Sequence, residues 1–232
     1  SFLAQNGGKQ SLTLNLKKAE GKEVLFRLVK SADVLIENFR PGVMNRLGVG
    51  YDVLKEINPR LVYCAISGFG QEGPMKFAPA YDQIVQGLSG VMSITGSEET
   101  APLRVGYPVA DTIGGITAAF AVSSALVRQA RTGEGEFIDV SMLDSTVVTM
   151  GWVVSNFLIA GKTPRPMGNE NFTAAPSGAF RTGNGLLNIA ANKQEQFAAL
   201  AEAIGRADLV SDARFAERET RKVNRKALTV EI

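Results

Sequence analysis

The 232-residue chain contains no histidine. That absence removes the Ser-His-Asp and Cys-His arrangements, and the HExxH zinc site, from any chemistry these residues carry. Acid–base or nucleophilic duty falls to Asp, Glu, Lys, Tyr, Ser or the one cysteine, Cys64. A lone cysteine excludes an internal disulfide and suits a reducing, cytoplasmic setting. A strong charge of one sign is missing too. The formal net charge is +2 and Lys/Arg runs stop at two residues, which leaves no electrostatic footprint for nucleic acid. Two charge-free stretches, Thr112–Val127 and Ser145–Gly161, are interrupted by Gly, Ser, Thr and Asn. They fall short of the ~18 consecutive apolar residues of a membrane span. Both read as buried core helices, with no membrane as partner. The chain opens at Ser1-Phe2-Leu3 without Met and closes at Glu231-Ile232 inside a predicted helix, so it reads as an internal portion of a longer protein.

What is present is ordinary for a globular domain: 45% apolar and 21% charged residues. Ser11–Leu16 alternates polar and apolar, the period of a half-buried strand. A short amphipathic helix follows, with Val24, Leu25, Leu28 and Val29 on one face. Asp33–Ile36 and Leu61–Ile66 are continuous apolar runs, and the second, apolar on both faces, reads as a central parallel strand. Pro41 to Gly48 and Tyr51 to Ile57 read as short helices, Gln83–Ile94 as a longer one and residues 95–107 as a loop. A strand at Phe137–Ser141 leads into one long helix, Met142–Ile159. Strands alternating with helices in this way argue for an α/β fold, a Rossmann-like large domain with a parallel sheet. Residues 161–178 shift to Pro, Gly and Asn. Beyond them Gly178–Thr182 and Leu186–Ala191 flank Gly183-Asn184-Gly185, a hairpin signal, and helices follow at Gln194–Ile204 and Ala216–Glu231. The expected organisation is a large domain over 1–145, a helical linker over 146–177, and the start of a smaller α+β domain over 178–232.

The stretch with most chemical promise is Arg104–Arg131. Asp111 precedes Thr112 and the pair Gly114–Gly115, then a long uncharged helix closes on Arg128 and Arg131. Asp111 reads in two ways. It is a good N-cap, whose carboxylate accepts the free N–H groups of the first turn and is favoured there by the helix dipole. It is equally an ionised carboxylate on a rigid apolar helix, which nucleophilic carboxylate catalysis needs.

Gly68-Phe69-Gly70-Gln71-Glu72-Gly73 matches GxGxxG after a predicted strand. Pro74 follows at once, no helix starts until about Asp82, and no acidic residue closes a second strand at the required distance. A nicotinamide or flavin site does not fit. A flexible loop whose bare backbone N–H groups approach a ligand does. Glu37–Gly42 sits where a strand runs into a helix, the ligand edge of an open α/β sheet, and Arg46 one turn on is either a phosphate contact or a solvated surface residue. Tyr81-Asp82 reads as a helix entry with a packed aromatic, and Cys64 as an inert buried thiol.

Six segments together resemble the class III CoA-transferases (the CaiB/BaiF family), which include formyl-CoA, carnitine and bile-acid CoA-transferases and the 2-methylacyl-CoA racemases. They are Asn6–Lys17, Ala32–Gly42, Asn58–Pro74, Val109–Gly115, Arg131–Asp144 and Ile189–Asn192, in family order and spacing. The resemblance implies that Asp111 is the nucleophile. It implies that Asn38, Phe39 and Arg46 line a coenzyme A site, with Lys9 near its nucleotide end. Tyr81 stands where transferases carry Tyr and racemases a catalytic His, which favours transferase. Acyl-CoA enters as substrate, without metal, nicotinamide or flavin.

The implied reaction moves CoA from an acyl-CoA donor to a small carboxylic acid acceptor, in a homodimer of interlocked chains. A carboxylate is ionised at neutral pH without a general base, so the lack of His is no obstacle. Backbone N–H groups of the Gly68–Gly73 loop, with Gly70 at its centre, or of the Thr112–Gly115 turn are the expected oxyanion donors. Racemisation or isomerisation of an acyl-CoA, and non-catalytic binding of CoA esters, are the alternative readings. The family's first strand–helix unit and most of its second domain have no counterpart in these residues.

Overall fold

The computed structural model describes residues 2–232. In chain order the elements of the first part are α1 (Phe2–Gln5), α2 (Ala19–Val29), β1 (Val34–Glu37), α3 (Val43–Arg46), α4 (Tyr51–Ile57), β2 (Val62–Ser67), α5 (Asp82–Ser89), α6 (Val109–Thr132), β3 (Glu136–Ser141), α7 (Met142–Thr149) and α8 (Gly151–Ala160). The second part holds β4 (Ser177–Thr182), β5 (Gly185–Ala190), α9 (Gln194–Ala203), α10 (Arg218–Val223) and α11 (Arg225–Glu231). The chain divides into two compact units. One runs to Val91 and resumes over Val105–Ser155; the other comprises Met92–Arg104 and Asn156–Ile232.

The first unit is built on a parallel three-stranded sheet in the order β1-β2-β3. The central place of β2 explains why its sequence is apolar throughout. Successive side chains alternate between faces, so Tyr63 and Ala65 join Val29, Met44, Val49 and Leu54 on one side. Val62 and Cys64 join Ala118, Val122 and Ala125 of α6 on the other. Two amides tie the layers together. Asn58 Nδ2 donates to Val29 O and Ala32 O, both at 2.9 Å. Gln129 Nε2 donates to Arg60 O at 2.5 Å. Helix α6 ends at Gly133, whose φ of +77° is the left-handed conformation glycine takes at a helix C-terminus.

Several expectations need correction. Ser11–Leu16 is not a strand: alternation sets which faces a strand would show, but a ladder needs a partner, and none lies beside it among the described residues. The buried face of α2 is Leu25, Phe26 and Val29, while Leu28 is exposed. The helix expected from Pro41 starts at Val43, after Gly42 in the left-handed region. Gly90, also left-handed, splits Gln83–Ile94 into α5 and a 3-10 turn, Val91–Ile94. Met142–Ile159 is broken at Met150 into α7 and α8, and Ala216–Glu231 at Asn224 into α10 and α11. Helix α6 is long and apolar enough to cross a bilayer by length and composition alone. Its Ala118, Val122 and Ala125 edge is buried against the sheet instead.

In the second unit β4 and β5 form the expected antiparallel hairpin, with Thr182 paired to Gly185 across a two-residue turn. Its core gathers Ala175, Phe197, Ala201, Leu209, Phe215 and Leu228.

Candidate active site

Asp111 does not cap its helix. Helix α6 begins two residues earlier, at Val109, so Asp111 is the third residue of the first turn. The carboxylate that serves the free N–H groups is Asp82, the first residue of α5. Its Oδ1 accepts from Ala110 N at 2.8 Å and from Asp111 N at 3.4 Å. Asp82 is held in turn by Gln86, one turn along α5, whose Nε2 donates to Asp82 Oδ2 at 2.7 Å. Gln86 is fully buried, and its Oε1 accepts from Val105 N at 2.8 Å.

Asp111 itself is left exposed, and its carboxylate has no hydrogen-bond partner among the described residues. The carboxyl is nonetheless partly desolvated, which raises its pKa above the ordinary carboxylate value, and the charge of Asp82 raises it further. The neutral form is the better accommodated one.

The early start of α6 also removes one set of expected oxyanion donors. Thr112 N already donates to Pro108 O at 3.0 Å, and the N–H groups up to Gly115 lie inside the helix. The glycine loop remains. Gly68 leaves β2 so close to the chain before Tyr81 that a Cβ there would overlap Ala80. Gly70 has φ +84° and lies against Asp139, whose Oδ2 accepts from Gln71 N at 2.8 Å. Gly73, also left-handed, stands in open space.

Two of the cavities in this unit adjoin the glycine loop. The larger, about 460 Å³, is lined by Gly70, Asp139, Ser141, Asp144, Thr117 and Val148, among others. The smaller, about 350 Å³, includes Glu37, Tyr51, Tyr63, Gln71, Lys76 and Phe137. Burial raises the Glu37 pKa against the lowering effects of the Phe39 N–H and the Tyr63 hydroxyl. Gln71 Nε2 is enclosed without a partner, as is Ser67 Oγ at the end of β2. Cys64 is buried, with its thiol pushed up to about 11, chiefly by burial.

Of the residues given an individual role from sequence, Gly70 lines the larger cavity; Phe69 and Glu72 of the glycine loop line it too, and Glu37, Pro41, Gly42, Gln71 and Glu72 line the smaller one. Asn38 Nδ2 donates to Ile66 O at 2.7 Å, a clip between the ends of β1 and β2. Phe39 is half exposed, and its N–H donates to Glu37 Oε2 at 2.6 Å. Arg46 is exposed, its guanidinium folded over Gly42. Lys9 is exposed and donates to Gln5 O and Asn6 Oδ1. Tyr81 is the residue before α5 but is not packed; it is 75% exposed.

The sequence pattern of CoA-transferase family III matches residues 1–232. The chain belongs to CoA-transferase family III. It is 42% identical over 228 residues to the acetyl-CoA:oxalate CoA-transferase of Acetobacter aceti, covering 98% of this chain and 59% of that one. It is 39% identical to the succinate–glutarate CoA-transferase of Agrobacterium fabrum, covering 95% and 55%. Its fold is similar to the crystal structure of a CaiB/BaiF family protein from Brucella suis, with TM-score 0.84 and 39% identity, over 96% of this chain and 59% of that one. The chain thus spans less than two thirds of the length of these relatives.

Within this family III chain, Asp82 and Gln86 are the site residues that sequence reasoning missed. Their signal was an acidic residue in the first turn of a helix with an amide one turn on, a pairing visible at Asp82 and Gln86.

Proposed function

We propose that the whole protein transfers CoA from an acyl-CoA donor to a carboxylic acid acceptor, with Asp111 as nucleophile. One observation carries this reading: in a family III chain without histidine, Asp111 is an exposed, unpartnered carboxylate on the first turn of a rigid helix. Asp111 attacks the thioester carbonyl, forming a mixed anhydride and expelling the CoA thiolate. The thiolate returns to the aspartyl carbonyl, giving an aspartyl-CoA thioester and the free donor acid. The acceptor carboxylate then attacks that thioester, and the thiolate captures the new acyl group and frees Asp111. The glycine loop is the source of N–H donors for the oxyanions these steps develop. Asn38, Phe39, Arg46 and Lys9 are proposed to contact the CoA moiety on the family resemblance.

The relatives named for oxalate, glutarate, mesaconate and citramalate support small dicarboxylic acids as the substrate class. Racemisation is the weaker reading, because by the resemblance Tyr81 stands at the position of the racemase histidine and these residues contain no histidine. A homodimer is proposed on the same resemblance. It is supported by the exposed Ile116, Phe120 and Val127 along α6, which a partner would cover.

The test uses the whole protein. It is incubated with succinyl-CoA or acetyl-CoA, quenched with hydroxylamine and digested, and the peptide carrying Asp111 is weighed. A hydroxamate or CoA adduct on that peptide is expected. A clean peptide from a protein that binds CoA esters removes covalent catalysis by Asp111.

A further inference from the structure

The first turn of α6 is not self-contained. Its N–H groups at Ala110 and Asp111 are served by a carboxylate from another helix, Asp82 Oδ1. The second oxygen of that carboxylate accepts from Gln86 Nε2. Gln86 has no exposure, and its amide is fully engaged: Oε1 accepts from Val105 N, and Nε2 also donates to Tyr107 O at 3.3 Å. The clamp therefore joins three pieces of chain, namely α5, the loop over Val105–Tyr107 and the start of α6. A buried amide with all its bonds made is rigid, because any rotation strands a donor or an acceptor away from water.

We infer that Asp82, locked by Gln86, is the positioning residue for Asp111, holding the first turn of α6 and setting a second negative charge beside the reacting carboxylate. This inference rests on Asp111 being the nucleophile. Both roles follow from one side chain. One oxygen fixes the backbone that carries Asp111, and the charge disfavours ionisation of its neighbour. Titratable groups on the elements packed against α6 are Asp82 on α5, Asp144 on α7, Glu136 and Asp139 on β3, and Tyr63 and Cys64 on β2, with Tyr107 in the entering loop. Among these, Asp82 is the one whose charge acts on Asp111. A carboxylate made more basic in this way is a stronger nucleophile in its charged form. The cap keeps it aimed without taking up its lone pairs.

Asp82→Asn removes the charge while its amide oxygen still accepts the α6 N–H groups, its Nδ2 no longer accepting from Gln86 Nε2. The Asp111 carboxyl is followed by carbon NMR in the whole protein, its signal assigned by its loss in Asp111→Asn. The expected result is a lower midpoint in Asp82→Asn. The acid limb of the kcat/KM profile moves down with it, and the loss falls on kcat more than on KM. A purely structural cap moves neither midpoint nor limb. Asp82→Ser, which caps without charge, takes the place of Asp82→Asn if that variant does not fold. An unmoved midpoint in whichever variant folds overturns the inference. An Asp111 adduct combined with an unmoved midpoint removes Asp82 alone. A shifted midpoint in a protein whose Asp111→Asn variant keeps full turnover removes the nucleophile and leaves the coupling.

Discussion

Asp111 in the first unit and Arg221 in the second are charged groups under opposite regimes. Arg221 is 1% exposed, yet its bonds are made. Nη1 donates to Gln194 Oε1, Phe215 O and Ala216 O at 2.8, 2.8 and 3.0 Å, and Nε donates to Ala175 O at 3.2 Å. Its guanidinium lies 4.4 Å from the centre of the Phe197 ring, and burial lowers its pKa. Asp111 is exposed, without a partner, and has another negative charge beside it. The difference separates structure from chemistry. A charge enclosed among the oxygens to which its Nε and Nη1 donate holds segments together. A charge whose neighbours bond only to its backbone keeps its lone pairs for a substrate.

That contrast breaks most sharply at Asp111. In the whole protein, Asp111→Asn is expected to lower turnover by about a thousandfold or more while leaving the fold intact. Its pKa is raised on folding, so the folded state binds more protons than the unfolded one between the ordinary value near 3.8 and the raised midpoint. Stability contributed by this group therefore falls as pH rises through that window. The neutral variant should have an equal or higher Tm at pH 7 by calorimetry. Full turnover, or a fall in Tm, would put Asp111 in the same class as Arg221.

The second largest effect is expected at Arg221. Arg221→Met leaves the carbonyls of Ala175, Phe215 and Ala216 and the Gln194 amide without their donor, costing about 3 kcal/mol or more. Denaturant unfolding should show it. A variant as stable as wild type would mean the guanidinium holds nothing.

Gly68→Ala sharpens the comparison inside the first unit, because the added methyl overlaps Ala80 at the entry to α5. We expect a loss of about 1–3 kcal/mol and a drop in kcat that Asp82 variants share, since α5 carries the clamp. Unchanged kcat would detach the glycine loop from the site.

The smallest effect belongs to Cys64. Buried between β2 and α6, with its thiol pushed up to about 11, it should resist iodoacetamide at pH 8 in the folded protein and react on unfolding. Rapid native labelling would contradict its place in the core.

Much of this was readable from residues alone. The apolar runs at Asp33–Ile36 and Leu61–Ile66 lie in parallel strands, and the Gly183–Asn184 turn closes its hairpin, because local pattern and tertiary role agree there. Ser11–Leu16 failed because alternation does not supply a neighbour to pair with. The break at Met150 failed because a helical pattern runs through it unchanged.

At the site, sequence spacing picked out Asp111 and its apolar helix, since a carboxylate before an uncharged run is a local signal. Composition excluded histidine chemistry from these residues. What only the tertiary structure decided is which carboxylate caps α6. Asp82 and Asp111 are 29 positions apart, and nothing local distinguishes an acid that spends its oxygens on backbone N–H groups from one that keeps them. That choice was made when α5 and the Val105–Tyr107 loop packed around Gln86, because a buried amide must find its partners wherever the fold brings them.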